Sequence, residues 1–294
     1  MVNLKKIKNL TAQKIVNRFK KHFFSLFEMS YIIFEKCMDI LFTKRKFRIL
    51  FSNKKIWEYP IRKGFNHLKH EISFEELSSK NIVKYDLVVP LTIEDIKNLN
   101  NFRPLLNKNP IPIPSNEALF ICHNKNLFNK KLIENNFKDL VPQINDTLPY
   151  PYILKKNTDE YGANSYIILN SENEQQIFDT LQIQDYYRQK LIFGKYEYAT
   201  HILFIKNKIV RWINIKYTFE NDIAIKGKDD AIDKRICFCD YLDIFSSILK
   251  LISFEGLCCV NYKIQNDKPM ILEINPRFGG SLSPLFFSFI RYLD

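Results

Sequence analysis

The stretch Ile271-Leu272-Glu273-Ile274-Asn275-Pro276-Arg277-Phe278-Gly279-Gly280-Ser281 decides how the rest of this 294-residue chain is read. Alternate side chains of a strand share one face. A strand ending at Asn275 therefore turns Glu273 and Asn275 one way, and Leu272 and Ile274 toward a core. A carboxylate and an amide oxygen on one face, followed by a guanidinium, suit a hard cation held together with phosphate. Mg²⁺ takes one or two protein oxygens and completes its shell from phosphates and water. Arg277 can meet phosphate oxygens bidentately, and backbone N–H groups around Gly279-Gly280-Ser281 offer an anion further donors. The plainer reading is a surface ion pair between Glu273 and Arg277. Glycine usage favours the functional one. At a usual frequency of about 7% the chain would hold roughly twenty glycines, yet it has seven, and two of them follow this segment directly.

The strand before it, Leu257–Ile264, joins Pro269–Asn275 through a turn at Gln265-Asn266-Asp267-Lys268. Across that hairpin Asn261 can sit beside Glu273 and add a third oxygen. Asn261 reads equally well as a buried amide with its hydrogen bonds satisfied.

From Phe254-Glu255-Gly256 to Ser281 the chain resembles the C-terminal signature of the ATP-grasp superfamily, and most of all its carbamoyl-phosphate-synthetase-like members. The resemblance implies that Glu273 and Asn275 bind Mg²⁺ (or Mn²⁺), with Asn261 completing the metal site. It implies that Arg277 contacts the transferring phosphoryl group or the acyl phosphate. Upstream, Cys122-His123-Asn124-Lys125 is similar to the helix start whose basic residue reaches ATP phosphates. Pro151-Tyr152-Ile153-Leu154-Lys155 is similar to the strand that supplies a second phosphate-binding lysine, Lys155. Gln189-Lys190-Leu191-Ile192, with Gly194, Glu197 and Tyr198, resembles the hinge whose backbone holds adenine, the Glu197 position lying near the ribose. The four segments come in family order over about 160 residues. Two departures stand out. The phosphate loop, usually glycine-rich, is here Asn157–Ser165 with Gly162 alone, and Gly162 and Ser165 are its implied nucleotide contacts. Lys190 occupies a hinge position where an acid is common.

Working outward, residues 1–46 lack Gly and Pro and predict a basic helical extension. Residues 47–115 predict a small parallel α/β domain of the pre-ATP-grasp kind, without its usual glycine turn after the first strand. Its strands are Phe47–Phe51 and Tyr85–Val89, and a helix over Thr92–Leu99 starts at a capping box of Thr92 and Asp95. Pro104, Pro110, Pro112 and Pro114 mark the domain edge. For residues 116–294 the resemblance implies an ATP-grasp domain of two α+β lobes with the nucleotide between them. The expected helices are 125–137, 173–181 and 241–252. The expected strands are 151–155, 166–169, 187–192, 197–205 and 208–216, with the two closing ones. The fold class is thus α/β and α+β.

Charge is uneven. Residues 1–70 hold 17 Lys/Arg against Glu28, Glu35, Asp39 and Glu58, a net +13, while the remainder is near neutral at −1. Such asymmetry points to an anionic membrane surface or anionic partner, or to a merely solvated lysine-rich face. No specific nucleic-acid recognition is expected. The apolar stretch Phe23–Phe42 contains Glu28, Glu35, Lys36 and Asp39, too polar to span a bilayer. It reads as an amphipathic helix that either lies on a membrane or packs Phe23, Phe24, Phe27, Ile32 and Phe34 against the body. The cysteines lack zinc-site spacing and read as reduced, mostly buried thiols, which suits a cytoplasmic protein. The resemblance implies a ligase that activates a small-molecule carboxylate with Mg-ATP for attack by an amine or similar nucleophile. Its rivals are an ATP-grasp kinase and a nucleotide-binding protein without turnover.

Overall fold

A computed structural model describes residues 28–103, 111–160 and 162–293. The expected helicity of residues 1–27, the packing of Phe23, Phe24 and Phe27, and the prolines 104 and 110 lie outside the described residues. From residue 28 to 42 the chain is helical (α1).

A three-stranded parallel sheet follows, in the order β2-β1-β3. Its strands are β1 (Arg48–Ser52), β2 (Glu71–Glu75) and β3 (Leu87–Val89). Ile49, Leu50 and Phe51 of the central strand are buried, as a parallel strand covered on both faces requires. Helix α2 (Lys55–Phe65) makes the crossover from β1 to β2, and α3 (Ile93–Asn101) follows β3. The capping box forms as expected: Asp95 N–H donates to Thr92 Oγ1 at 3.1 Å, and Thr92 N–H donates to Asp95 Oδ2 at 2.8 Å. Helix α2 and strand β2 have no counterpart in the sequence reading.

Helices α4 (Asn116–His123) and α5 (Lys125–Glu134) lead to a small antiparallel sheet, β5-β4-β6. It is built from β4 (Tyr152–Lys156), β5 (Ser165–Ile168) and β6 (Tyr186–Lys190), with α6 (Ser171–Phe178) between the last two. A five-stranded antiparallel sheet completes the body in the order β11-β10-β7-β8-β9. It comprises β7 (Tyr196–Ile205), β8 (Lys208–Thr218), β9 (Asp233–Cys237), β10 (Gly256–Gln265) and β11 (Lys268–Asn275). Strand β9 was not foreseen either.

Period-two alternation gives the large sheet two faces. Ile202 and Phe204 of β7, with Cys258, Val260 and Ile274, pack under Phe245, Ile248 and Leu249 of α7 (Leu242–Leu251). Ala199 and Leu203 face the other way, into a core shared with the N-terminal sheet. The C-terminal segment returns to that sheet and locks it down. Phe286 packs edge-on against Phe51 at 5.6 Å between centroids. Gly64 lies so close to Pro284 that a Cβ there would meet its carbonyl oxygen at 2.6 Å.

Candidate active site

The hairpin of β10 and β11 carries the polar centre. Its register sets Asn261 opposite Glu273. Asn261 Nδ2 donates to Glu273 Oε1 at 2.8 Å, and Asn275 Nδ2 donates to the same oxygen at 2.7 Å. One expectation is corrected here. The pairing slips, so that Tyr262 faces Ile271 rather than Leu272. The extra residue, Leu272, therefore turns toward the site instead of the core. Ile271 and Ile274 take the buried positions, and Leu272 joins Glu273 and Asn275 on the cavity wall. A bulge of this kind re-aims side chains next to functional sites.

Two lysines converge on Glu273 from elsewhere in the chain. Lys125 opens α5, where Asn124 caps the helix by accepting from Leu127 N–H at 3.0 Å. Its ammonium lies 3.4 Å from Glu273 Oε2 and donates to the carbonyl of Asp159 at 2.7 Å. Lys155 comes from β4, 8% exposed. Burial lowers its pKa to about 8, partly opposed by the charge of Glu273. For Glu273 itself burial is the largest influence and acts upward, but Lys125, Lys155 and the Asn275 hydrogen bond outweigh it and hold the carboxyl at about 2. Glu273 is therefore ionised at neutral pH. Arg277, 4% exposed, donates to the carbonyl of Phe278 at 3.0 Å and lies 3.2 Å from the Glu160 carboxylate.

Glu160 belongs to the turn between β4 and β5. Asp159 pins that turn by accepting from the Asn164 backbone and side chain, both at 2.9 Å. Gly162 takes φ +66° and lies against Ile225 and the carbonyl of Lys226. Lys228 donates to the carbonyl of Ser165. The small sheet is thereby tied to the loop between β8 and β9.

On the far wall, β6 runs into the hinge. Lys190 N–H is held by the carbonyl of Gln143 at 2.8 Å, while its side chain is exposed. Leu191 and Ile192 are buried. Gln189 is fully buried and lines the cavity, yet neither its Oε1 nor its Nε2 has a hydrogen-bond partner among the described residues. A buried primary amide left this way is costly, unless a bound group with both a donor and an acceptor edge meets it.

All thirteen residues singled out from sequence line one cavity of ≈ 360 Å³: Lys125, Lys155, Gly162, Ser165, Gln189, Lys190, Leu191, Ile192, Glu197, Asn261, Glu273, Asn275 and Arg277. The wall carries eight Lys or Arg against four Asp or Glu, a balance that suits a polyanion. Among the described residues no group of three or more His, Cys, Asp and Glu side chains converges as a metal site. A cation here would have one carboxylate, Glu273, and the amide oxygens of Asn261 and Asn275. That all-oxygen set fits Mg²⁺ or Mn²⁺ and leaves coordination positions for phosphate and water.

Sequence reasoning missed three wall residues. Lys226 reaches both Glu197, at 3.3 Å, and the Asn261 side-chain oxygen. Lys263 donates to the carbonyls of Ile192 (3.1 Å), Gly194 (3.0 Å) and Asp222 (3.4 Å), so it fastens the hinge to β10. His201 Nε2 pairs with Ser281 Oγ at 2.7 Å, and burial pushes its pKa down to about 3, leaving it neutral. Alternation could have found Lys263, two residues after Asn261 on the same strand. The glycine pair has a packing role: a Cβ at Gly279 would meet His201 Cε1 at 2.3 Å, and one at Gly280 would meet Trp57 Nε1 at 2.9 Å.

No family model matches the sequence, and no curated protein matches it. Solved structures do resemble the fold. D-alanine–D-alanine ligase from Bacillus anthracis, complexed with ATP, aligns with TM-score 0.54 and 13% identity, over 79% of this chain and 87% of that one. L-amino acid ligase from Bacillus licheniformis gives TM-score 0.57 and 13% identity, over 84% and 71%. N5-carboxyaminoimidazole synthetase from Staphylococcus aureus, complexed with ADP, gives 0.55 and 15%, over 81% and 73%. These are ATP-grasp enzymes, and the chain has the ATP-grasp fold. Its neighbours in fold include two amino-acid ligases, each with a likeness that spans more than two thirds of both chains.

Proposed function

We propose that this protein is an ATP-dependent ligase: it activates a small-molecule carboxylate as an acyl phosphate and joins it to an amine or similar nucleophile. The observation that carries the reading is the convergence of Lys125, Lys155, Arg277 and the Glu273–Asn261–Asn275 cluster on one cationic cavity. Under this reading, Gln189 and the backbone of Lys190–Ile192 hold the adenine edge, which would satisfy the orphaned amide. Glu197 takes the ribose side. Lys125 and Lys155 neutralise phosphate oxygens, with Gly162 and Ser165 on the lid above them. Bound Mg²⁺ supplies charge neutralisation across the phosphates, and Glu273, Asn275 and Asn261 are the residues that would hold it.

In the first step a carboxylate oxygen attacks the γ-phosphorus and ADP leaves. In the second the nucleophile attacks the acyl carbon, inorganic phosphate leaves and the nucleophile gives up its proton. Arg277 would stabilise the charge on the transferring group, a task of positioning and electrostatics rather than covalent catalysis. It must first exchange Glu160 for that group.

ADP release measured across pools of candidate acids, with and without candidate amines, tests the proposal. A ligase shows ADP release that depends on an acid and rises with the right amine. A phosphorylated end product that accumulates without any amine would point instead to a kinase. Tight ATP binding with no release from any pool would leave only a nucleotide-binding role.

A further inference from the structure

Helix α1 is built inside out. Its charged residues face the protein: Glu35 accepts from Arg211 at 2.8 Å and Arg291 at 2.7 Å. Asp39 accepts from Thr43 Oγ1 at 2.9 Å and pairs with His70 at 3.1 Å, both fully buried. Tyr31 Oη accepts from Arg211 at 2.8 Å, and Glu28 accepts from Ile236 N–H at 3.3 Å. Ile32 packs on the core. Phe34, which one of the two sequence readings packed against the body, is exposed. Met29, Ile33, Phe34, Ile40, Leu41 and Phe42 are all 55–73% exposed. Three carboxylates locked inward fix the rotation of the helix, so the apolar face cannot turn back to the body.

A contiguous apolar helix face of this size marks an interaction site. Its flanks say which kind. Residues 1–27 carry seven Lys or Arg and no acid, and Lys44-Arg45-Lys46 follow the helix. A second copy of this chain would bring like charges together at both ends of the helix. A surface that is anionic at the headgroups and apolar beneath satisfies both features at once. Among the described residues no helix is long and apolar enough to cross a membrane, and the inward ion pairs require α1 to lie flat.

We infer that the outward face of α1 docks on an anionic lipid surface, with Ile33, Phe34, Ile40 and Leu41 entering the headgroup boundary. The membrane then lies beside β8 and β9, whose Arg211 and Ile236 hold the helix, at the end of the large sheet away from β10 and β11. The proposal is independent of which reaction the cavity performs.

Co-sedimentation of the full chain with vesicles of phosphatidylcholine alone, or with 30 mol% phosphatidylserine, reads it at low and high salt. Binding to the anionic vesicles is expected to exceed binding to neutral ones by about tenfold or more, and to fall with salt. Ile33→Glu/Ile40→Glu and the milder Ile33→Ser/Ile40→Ser change exposed positions, so thermal melting and nucleotide binding should be retained. Both should lose vesicle binding, the glutamate pair by about tenfold or more. Undiminished binding by both variants would mean that lysines alone act, and would overturn the proposal. So would equal retention on neutral and anionic vesicles. Concentration-dependent dimerisation of the wild type that the glutamate pair abolishes, without vesicle binding, would assign the face to a second copy instead.

Discussion

Lys155 and Lys190 both line the cavity, but their surroundings separate their tasks. Lys155 is buried beside Glu273, whereas the side chain of Lys190 is exposed and its N–H is held by Gln143; under the proposed function only Lys155 meets the phosphates through its side chain. A hydrogen bond to a charged group is worth about 1.5–3 kcal/mol, so Lys155→Ala should weaken ATP binding by about tenfold or more. Lys190→Ala should change it little. Titration of both variants with nucleotide checks the contrast, and equal losses would remove Lys155 from the phosphate site. Its pKa adds a sign. Burial is the main cause that brings Lys155 down to about 8, so the ammonium is charged at pH 7 and neutral at pH 9. Phosphate binds the charged form, so ATP affinity should be flat below about pH 8 and fall by up to about tenfold per unit above it. In Lys155→Arg, which stays charged, this fall should vanish. A wild-type affinity that stays level from pH 7 to 9.5 would contradict the assignment.

Among the elements, the β10–β11 hairpin shows what was legible in the sequence and what was not. Period two put Glu273 and Asn275 on one face, but register counted from the turn alone would set Asn261 opposite Leu272, and it is the bulge that brings Glu273 opposite Asn261. Leu272 was misplaced because a bulge depends on the packing of neighbours that no local pattern encodes. Helix α2 was hidden by Pro60 and Gly64, residues that read as breakers, while Trp57, Ile61 and Phe65 provide the buried stripe that overrides them. Lys226 lies in the loop between β8 and β9, where no periodicity assigns a direction. Lys263 lies on a strand, and its role as a positioning residue can be tested. Replacing it by methionine should take that donor from the hinge carbonyls of Ile192 and Gly194, while the Asp222 carbonyl keeps the Gly194 N–H. Lys263→Met is expected to weaken ATP binding several-fold and reduce discrimination between ATP and GTP, while inhibition by inorganic triphosphate stays unchanged. Loss of triphosphate binding in parallel would show general damage rather than a hinge defect.

At the level of the whole molecule, the cavity depends on a core that joins two sheets. Phe51, Phe65 and Phe278 of distant segments meet at Phe286, and Phe→Ala in such a place costs about 3–5 kcal/mol. The parallel sheet and the large sheet should therefore unfold together. The chain has two tryptophans, Trp57 on α2 and Trp212 on β8, so Trp57→Phe and Trp212→Phe each leave one reporter. Urea transitions followed by fluorescence in the two variants, each scaled to its own circular dichroism, should coincide. Separate midpoints would show that the N-terminal sheet is an independent unit. The central claim, that this cavity makes an acyl phosphate, is tested most directly by trapping the intermediate. The full chain is incubated with Mg-ATP, pooled small carboxylic acids and hydroxylamine, and scored for acyl hydroxamate. The account predicts hydroxamate and ADP in equal amounts with at least one acid, both abolished in Lys155→Ala. ADP release without hydroxamate from any acid, or hydroxamate undiminished in that variant, would contradict it.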